Sequence, residues 1–179
     1  MNGLELISSV FDAARVQHRS AFMPYFTLGF PNEEQSVEVI KTLARNGADL
    51  IELGLPFSDP LADGPTIQHS TQIALENGMT MQRCLKILKR LRLEGVMQPL
   101  LLMGYINPIL AFGAVDFVRA AAHAGADGLI IPDLPPEEAS EIEQACKQQG
   151  LALIFLLAPT STPQRIALVT SKASGFIYL

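Results

Sequence analysis

Short apolar runs punctuate the chain at Met23–Leu28, Leu50–Leu53, Leu100–Met103, Gly128–Ile131, Leu153–Leu157 and Phe176–Leu179. Each has the length of a buried strand rather than of a helix. The segments between them place apolar residues three and four apart, which predicts helices over Glu34–Asn46, Met81–Leu93, Val115–Ala124 and Pro136–Gln149. Two of these open with starting signals: Asn32 ahead of Glu33 and Glu34, and Pro136 at a first turn followed by Glu137 and Glu138. The wide gap between the second and third runs holds a long loop and an additional helix, Thr66–Glu76.

Strands separated by helices imply right-handed βαβ units and a parallel sheet. Continuous apolar runs, instead of alternating ones, fit a sheet covered on both faces. A weak repeat supports a fold of repeated units: Leu43–Ile51 resembles Ala121–Leu129, each a helix end, a glycine (Gly47, Gly125) at the left-handed stop position, and a strand entry. No Pro/Gly/Ser-rich linker divides residues 1–179, so one α/β domain is expected. Two architectures fit: an open doubly wound sheet, or part of a (β/α)8 barrel. The length of 179 residues favours the first, since barrels need about 250. The close on a bare apolar strand, Phe176–Leu179, favours the second and reads as an incomplete chain.

Composition narrows the function classes. With 49% hydrophobic and 17% charged residues, the chain is not intrinsically disordered. A net charge of −5 without a basic cluster argues against nucleic acid or an anionic membrane as partner. The longest uncharged run, Gly95–Val115, is broken by Pro99, Gly104, Pro108 and Gly113 and does not suit a spanning helix. The first residues lack the basic and apolar regions of a signal peptide, and Cys84 and Cys146 are too few for a disulfide framework, so a cytoplasmic protein is expected. His18, His69 and His123 are scattered over helical segments, and no metal site is expected.

In both architectures ligands bind beyond the carboxyl ends of the strands. None of the loops there is a dinucleotide or Walker loop. Glu52 is the most informative residue, a lone charge in the strand Leu50–Leu53. Desolvation there raises a carboxyl pKa towards neutrality, which suits proton transfer; pairing with an arginine or a backbone donor is the structural alternative. Asp59 and Asp63 lie in a long loop rich in proline and glycine, where aspartate commonly forms turns. Asp63 has the better reach over the mouth beside Glu52, so the two carboxyls can divide proton transfer and charge stabilisation. Tyr105 and Tyr178 stand at the height where ligands bind, and Asp133 is a helix cap or loop anchor. Cys84 and Cys146 read as core thiols.

Pro24–Gly29, then the continuous stretch Glu52–Gln68, then Asp133–Glu138 and Gly175–Leu179, resemble the tryptophan synthase α-chain family in order and from about residue 4 onward. The resemblance implies a parallel (β/α)8 TIM barrel, here represented by its first six strands. It implies retro-aldol cleavage of indole-3-glycerol phosphate to indole and glyceraldehyde 3-phosphate. Carried over by position, Glu52 is the general acid/base, and Asp63 accepts the indole N–H and stabilises positive charge on the ring. Tyr25, Ile67, Tyr105, Pro132 and Tyr178 match substrate-pocket positions. Pro56, Asp59 and Pro60, with the turn around Asn107 and Pro108, match surfaces that meet a β chain in an αββα assembly. Pyridoxal phosphate is expected only on that partner, and no cofactor on this chain. The family's phosphate-binding amides lie in later βα units. The alternatives are another phosphate-handling barrel lyase or isomerase, and a catalytically silent partner-binding module.

Overall fold

Each apolar run becomes a strand in a computed structural model that describes residues 2–179: β1 (Tyr25–Thr27), β2 (Ile51–Gly54), β3 (Leu100–Met103), β4 (Gly128–Ile130), β5 (Ala152–Leu156) and β6 (Ile177–Tyr178). They form one parallel sheet in strict chain order, β1 through β6. The described residues also form eight helices: α1 (Gly3–Val16), α2 (Glu33–Arg45), α3 (Pro65–Glu76), α4 (Met81–Leu93), α5 (Ile106–Phe112), α6 (Ala114–Ala124), α7 (Ser140–Gln149) and α8 (Pro163–Lys172). None of them is long and apolar enough to cross a membrane.

The helix starts follow from capping chemistry. Asn32 Oδ1 accepts from the Gln35 N–H at 3.0 Å at the head of α2, and Thr162 caps α8 just ahead of Pro163. Gly47 and Gly125 take φ of 94° and 102°, the left-handed stops expected from the repeat.

Several expectations need correction. The helix expected from Pro136 begins at Ser140, because Leu134 and Glu138 donate backwards into turns across the segment and the Pro135–Pro136 pair disfavours helical geometry. His18 is not helical; it follows α1 with a φ of 52°. Asn107 and Pro108 lie in helix α5, not in a turn; Pro108 is tolerated because N–H groups of a first turn have no intrahelical acceptor. Helices α1, α5 and α8 were not expected.

The two faces of the sheet bury different things. Ile51, Leu53, Leu100, Leu102, Leu129 and Leu153 point outward into a core shared with α2, α4, α6 and α7. The alternate residues Leu50, Leu101, Ile130, Ala152 and Ile154 point inward, where Ile7, Val10 and Phe11 of α1 pack beneath them. Helix α1 thus forms a floor across the amino-terminal ends of the strands. Its first residue, Gly3, lies so close to the Asp127 backbone that an added Cβ would stand 2.2 Å from the carbonyl oxygen.

The same end carries a polar clamp. Arg92 donates to the carbonyls of Gly125, Val96 and Gln98 at 2.8–2.9 Å and pairs with Asp127, whose Oδ2 also accepts from the Leu100 N–H at 2.8 Å. One guanidinium therefore joins the end of α4, the entry to β3 and the entry to β4.

Candidate active site

The inner face, filled by apolar side chains below, opens towards the carboxyl ends of the strands into a cavity of about 360 Å³. Every strand contributes one side chain to its wall: Tyr25, Glu52, Met103, Ile130, Leu156 and Tyr178. The strand-to-strand register explains the set. Residue 52 pairs with 101 and residue 103 with 130, so positions of one parity climb the barrel wall together. Ala62, Asp63 and Gly64 of the β2–α3 loop, Ile67 of the first turn of α3, and Pro132 after β4 complete the lining.

Glu52 is 2% exposed and surrounded by apolar wall. Burial alone pushes its carboxyl up from the ordinary 4.5 to about 7, with no cation pulling it down. The pairing with arginine that would have made it merely structural is not present among the described residues, where every salt bridge to an arginine uses another carboxylate. Its position on β2 follows from parity: Leu50 sits below it in the core, and Gly54 above it leaves space. That space is used by Tyr25, since a Cβ on Gly54 would stand 2.0 Å from the Tyr25 hydroxyl oxygen. Burial raises the Tyr25 phenol to about 12, and the charges of Asp63 and Glu52 add to the rise. Tyr178 is raised by burial and by Glu52 as well, so two phenols flank the buried carboxyl from β1 and β6.

Asp63 stands one residue ahead of the N-cap of α3, at the end of a loop stiffened by Pro56 and Pro60. The loop closes on itself: the Leu61 N–H donates to Asp59 O at 2.9 Å and the Asp63 N–H to Pro60 O at 3.1 Å. Partial burial raises the Asp63 carboxyl above its usual range, while the Tyr105 phenol beside it pulls the other way. Asp63 and Glu52 thus line one cavity in unlike surroundings, the first at the half-exposed mouth and the second in the apolar wall.

The remaining candidates divide. Ile67, Pro132, Tyr25 and Tyr178 line the cavity. Tyr105 does not; it is 5% exposed, under the β2–α3 loop, with its ring against Phe57 at 5.5 Å between centroids. Pro56 and Pro60 are half-buried in that loop, and Asp59 is exposed and accepts from the Ser58 hydroxyl at 2.5 Å. Asn107 is exposed and Pro108 half-buried on α5, whose first N–H is held by Asp133 Oδ1 at 2.9 Å, so Asp133 anchors one loop to the next. Met103, Ile130 and Leu156 were missed as lining residues, although counting alternate positions from Glu52 through the strands would have found them. Cys84 and Cys146 are buried in the outer core, with both thiols pushed up to about 12.

Comparison with known proteins agrees with this geometry. The family profile described as tryptophan synthase alpha chain matches residues 11–179. The chain belongs to the tryptophan synthase alpha chain family. It is 50% identical over 172 residues to the tryptophan synthase alpha chain of Roseiflexus castenholzii, covering 96% of this chain and 66% of that one. It is 45% identical over 175 residues to the tryptophan synthase of Saccharomyces cerevisiae, covering 98% of this chain and 25% of that one. The solved tryptophan synthase subunit alpha of Legionella pneumophila superposes with a TM-score of 0.93 at 36% identity, over 100% of this chain and 68% of that one. The fold is therefore the α/β barrel of this family, and the open-sheet alternative is set aside. The chain spans just under two thirds of the length of the curated relatives it matches.

Proposed function

We propose that this chain performs the carbon–carbon lyase reaction of tryptophan biosynthesis, cleaving indole-3-glycerol phosphate to indole and glyceraldehyde 3-phosphate. The observation that carries the reading is a buried, cation-free carboxyl in an apolar wall, with a second carboxyl at the mouth of the same cavity. At neutral pH Glu52 is poised between its acid and base forms, so it can give a proton to C3 of the indole ring and receive one from the hydroxyl on the adjoining side-chain carbon. Protonation at C3 leaves positive charge on the ring nitrogen. Asp63, ionised, accepts the N–H and stabilises that charge. The bond from C3 to the hydroxyl-bearing carbon then breaks. Its electron pair restores the indole ring, and the alcohol becomes the aldehyde of glyceraldehyde 3-phosphate. The apolar side chains of Met103, Ile130 and Leu156 suit a planar aromatic ring and exclude water from the proton transfers.

In this reading residues 1–179 are part of one barrel domain of a soluble, cytoplasmic enzyme, and Tyr25, Ile67, Pro132 and Tyr178 contact the substrate. The product indole passes to a β chain docked over Pro56, Asp59, Pro60, Asn107 and Pro108. Pyridoxal phosphate belongs to that partner. The reading is tested by indole release from indole-3-glycerol phosphate with and without β chain. Turnover lost in Glu52→Gln and in Asp63→Asn is the expected result; undiminished turnover in either variant refutes the role given to that carboxyl.

A further inference from the structure

The β2–α3 loop that carries Asp63 is held almost entirely by itself. Leu61 at its tip is 93% exposed. The hydrogen bonds of residues 58–63 are turns within the loop, the Ser58–Asp59 contact, and the Gln68 side-chain N–H donating to the Asp63 carbonyl at 2.9 Å. Among the described residues one bond reaches across to the β3 side: the Ala62 N–H donates to the Tyr105 hydroxyl oxygen at 2.9 Å. The phenol is well placed for this. Tyr105 is buried, it follows β3 after Gly104 as the N-cap residue of α5, and its ring packs on Phe57 of the β2–α3 loop.

We propose that Tyr105 is a positioning residue, a tether whose hydroxyl fixes the height of the β2–α3 loop and so aims the Asp63 carboxylate at the ring N–H of the substrate. This rests on the lyase reading for the identity of the ligand, but not for the tether. It gives Tyr105 a different task from Tyr25 and Tyr178, whose side chains face the cavity. The hydroxyl oxygen is occupied by the Ala62 N–H, while its own proton remains available to the neighbouring carboxyl and opposes the rise in its pKa.

The test is Tyr105→Phe, which keeps the ring against Phe57 and removes only the hydroxyl. Amide exchange at Ala62 is followed by NMR, and indole binding is titrated across pH in the full chain. The Ala62 amide should exchange about tenfold faster in the variant, with Leu101 and Leu102 unchanged. The dissociation constant for indole should rise about fivefold to tenfold, the worth of one hydrogen bond. The acid limb of the binding curve should move to higher pH as Asp63 loses the phenol, a change that ring packing alone would not produce. Unchanged exchange at Ala62 overturns the tether, and unchanged indole affinity with faster exchange overturns its role in aiming Asp63. Absence of indole binding by the unsubstituted chain counts against the lyase reading, and Ala62 exchange then decides the tether alone.

Discussion

A carboxyl kept in an apolar wall has a cost in folding that can be measured without any substrate. In the unfolded chain Glu52 titrates near the ordinary 4.5, and in the folded protein near 7. The native state therefore holds the proton more tightly than the unfolded one. Stability is highest where Glu52 is protonated in both states, falls as pH rises from about 4.5, and stops falling above about 7. At about 1.4 kcal/mol per pKa unit the full loss is about 3 kcal/mol. Glu52→Gln keeps the shape of the side chain and carries no charge at any pH, so it removes this dependence. Urea unfolding of both proteins at about pH 5 and about pH 8 should show the variant gaining about 2–3 kcal/mol on the parent over that interval, about 1 M in midpoint at an m-value of about 2 kcal/mol/M. A gap between the two that does not change with pH refutes the desolvation argument, and with it the reason for assigning proton transfer to Glu52. The variant should be the more stable protein and the inactive one, the exchange expected where a site is destabilised for function.

Further predictions follow from the same site and from the end opposite to it. If Glu52 must begin the reaction protonated, indole release should decline as pH rises through about 7 in steady-state assays; a rate still climbing at higher pH contradicts that order of events. Gly54→Ala should cost about 1–3 kcal/mol and abolish ligand binding by displacing Tyr25, and Tyr25→Ala in the same chain should recover much of the stability, read by thermal melts of both variants. Arg92→Met strands Asp127 and three carbonyls and should cost about 3 kcal/mol in chemical denaturation, with Arg92→Met/Asp127→Asn costing less than the sum of the two single changes. Native protein should expose neither Cys84 nor Cys146 to a thiol reagent, and denatured protein should release both; reaction of the folded chain would show the outer core to be open.

The strands were legible because a buried parallel strand is apolar on both faces, a pattern that needs no tertiary information. All six runs pair, and Leu100–Met103 and the helix Met81–Leu93 appear with the ends expected. The unexpected helices had signals that competed with stronger ones. Helix α5 is short and contains Pro108, which reads as a turn until its place in the first helical turn is known. Helix α1 begins with a capping box, Asn2 with Glu5, but precedes the first strand and so lay outside the alternation being counted. Of the site, Glu52 could be singled out from its own neighbours in sequence, since one charge in an apolar strand is conspicuous. Asp63 and Asp59 could not be separated that way. What distinguishes them is which side of the loop each occupies, and that depends on the turn at Pro60 and on Tyr105, contributed from another part of the chain.

The floor helix has a consequence for the order in which the chain acquires structure. Every strand lies beside its neighbours in sequence, so each βα unit leaving the ribosome meets a template already made, and contacts between units stay local. Helix α1 is the exception. It precedes β1, yet its apolar side rests on Ile130, Ile154 and Phe176, with Phe11 and Phe176 ring to ring at 5.5 Å. Docking of α1 thus needs residues around β4, β5 and β6, far along the chain, and covers the inner face of those strands only once they have paired. In the folded chain the same separation in sequence predicts that α1 lifts away while β1 to β6 stay paired. Its amides should exchange as a unit, ahead of those in β2 and β3.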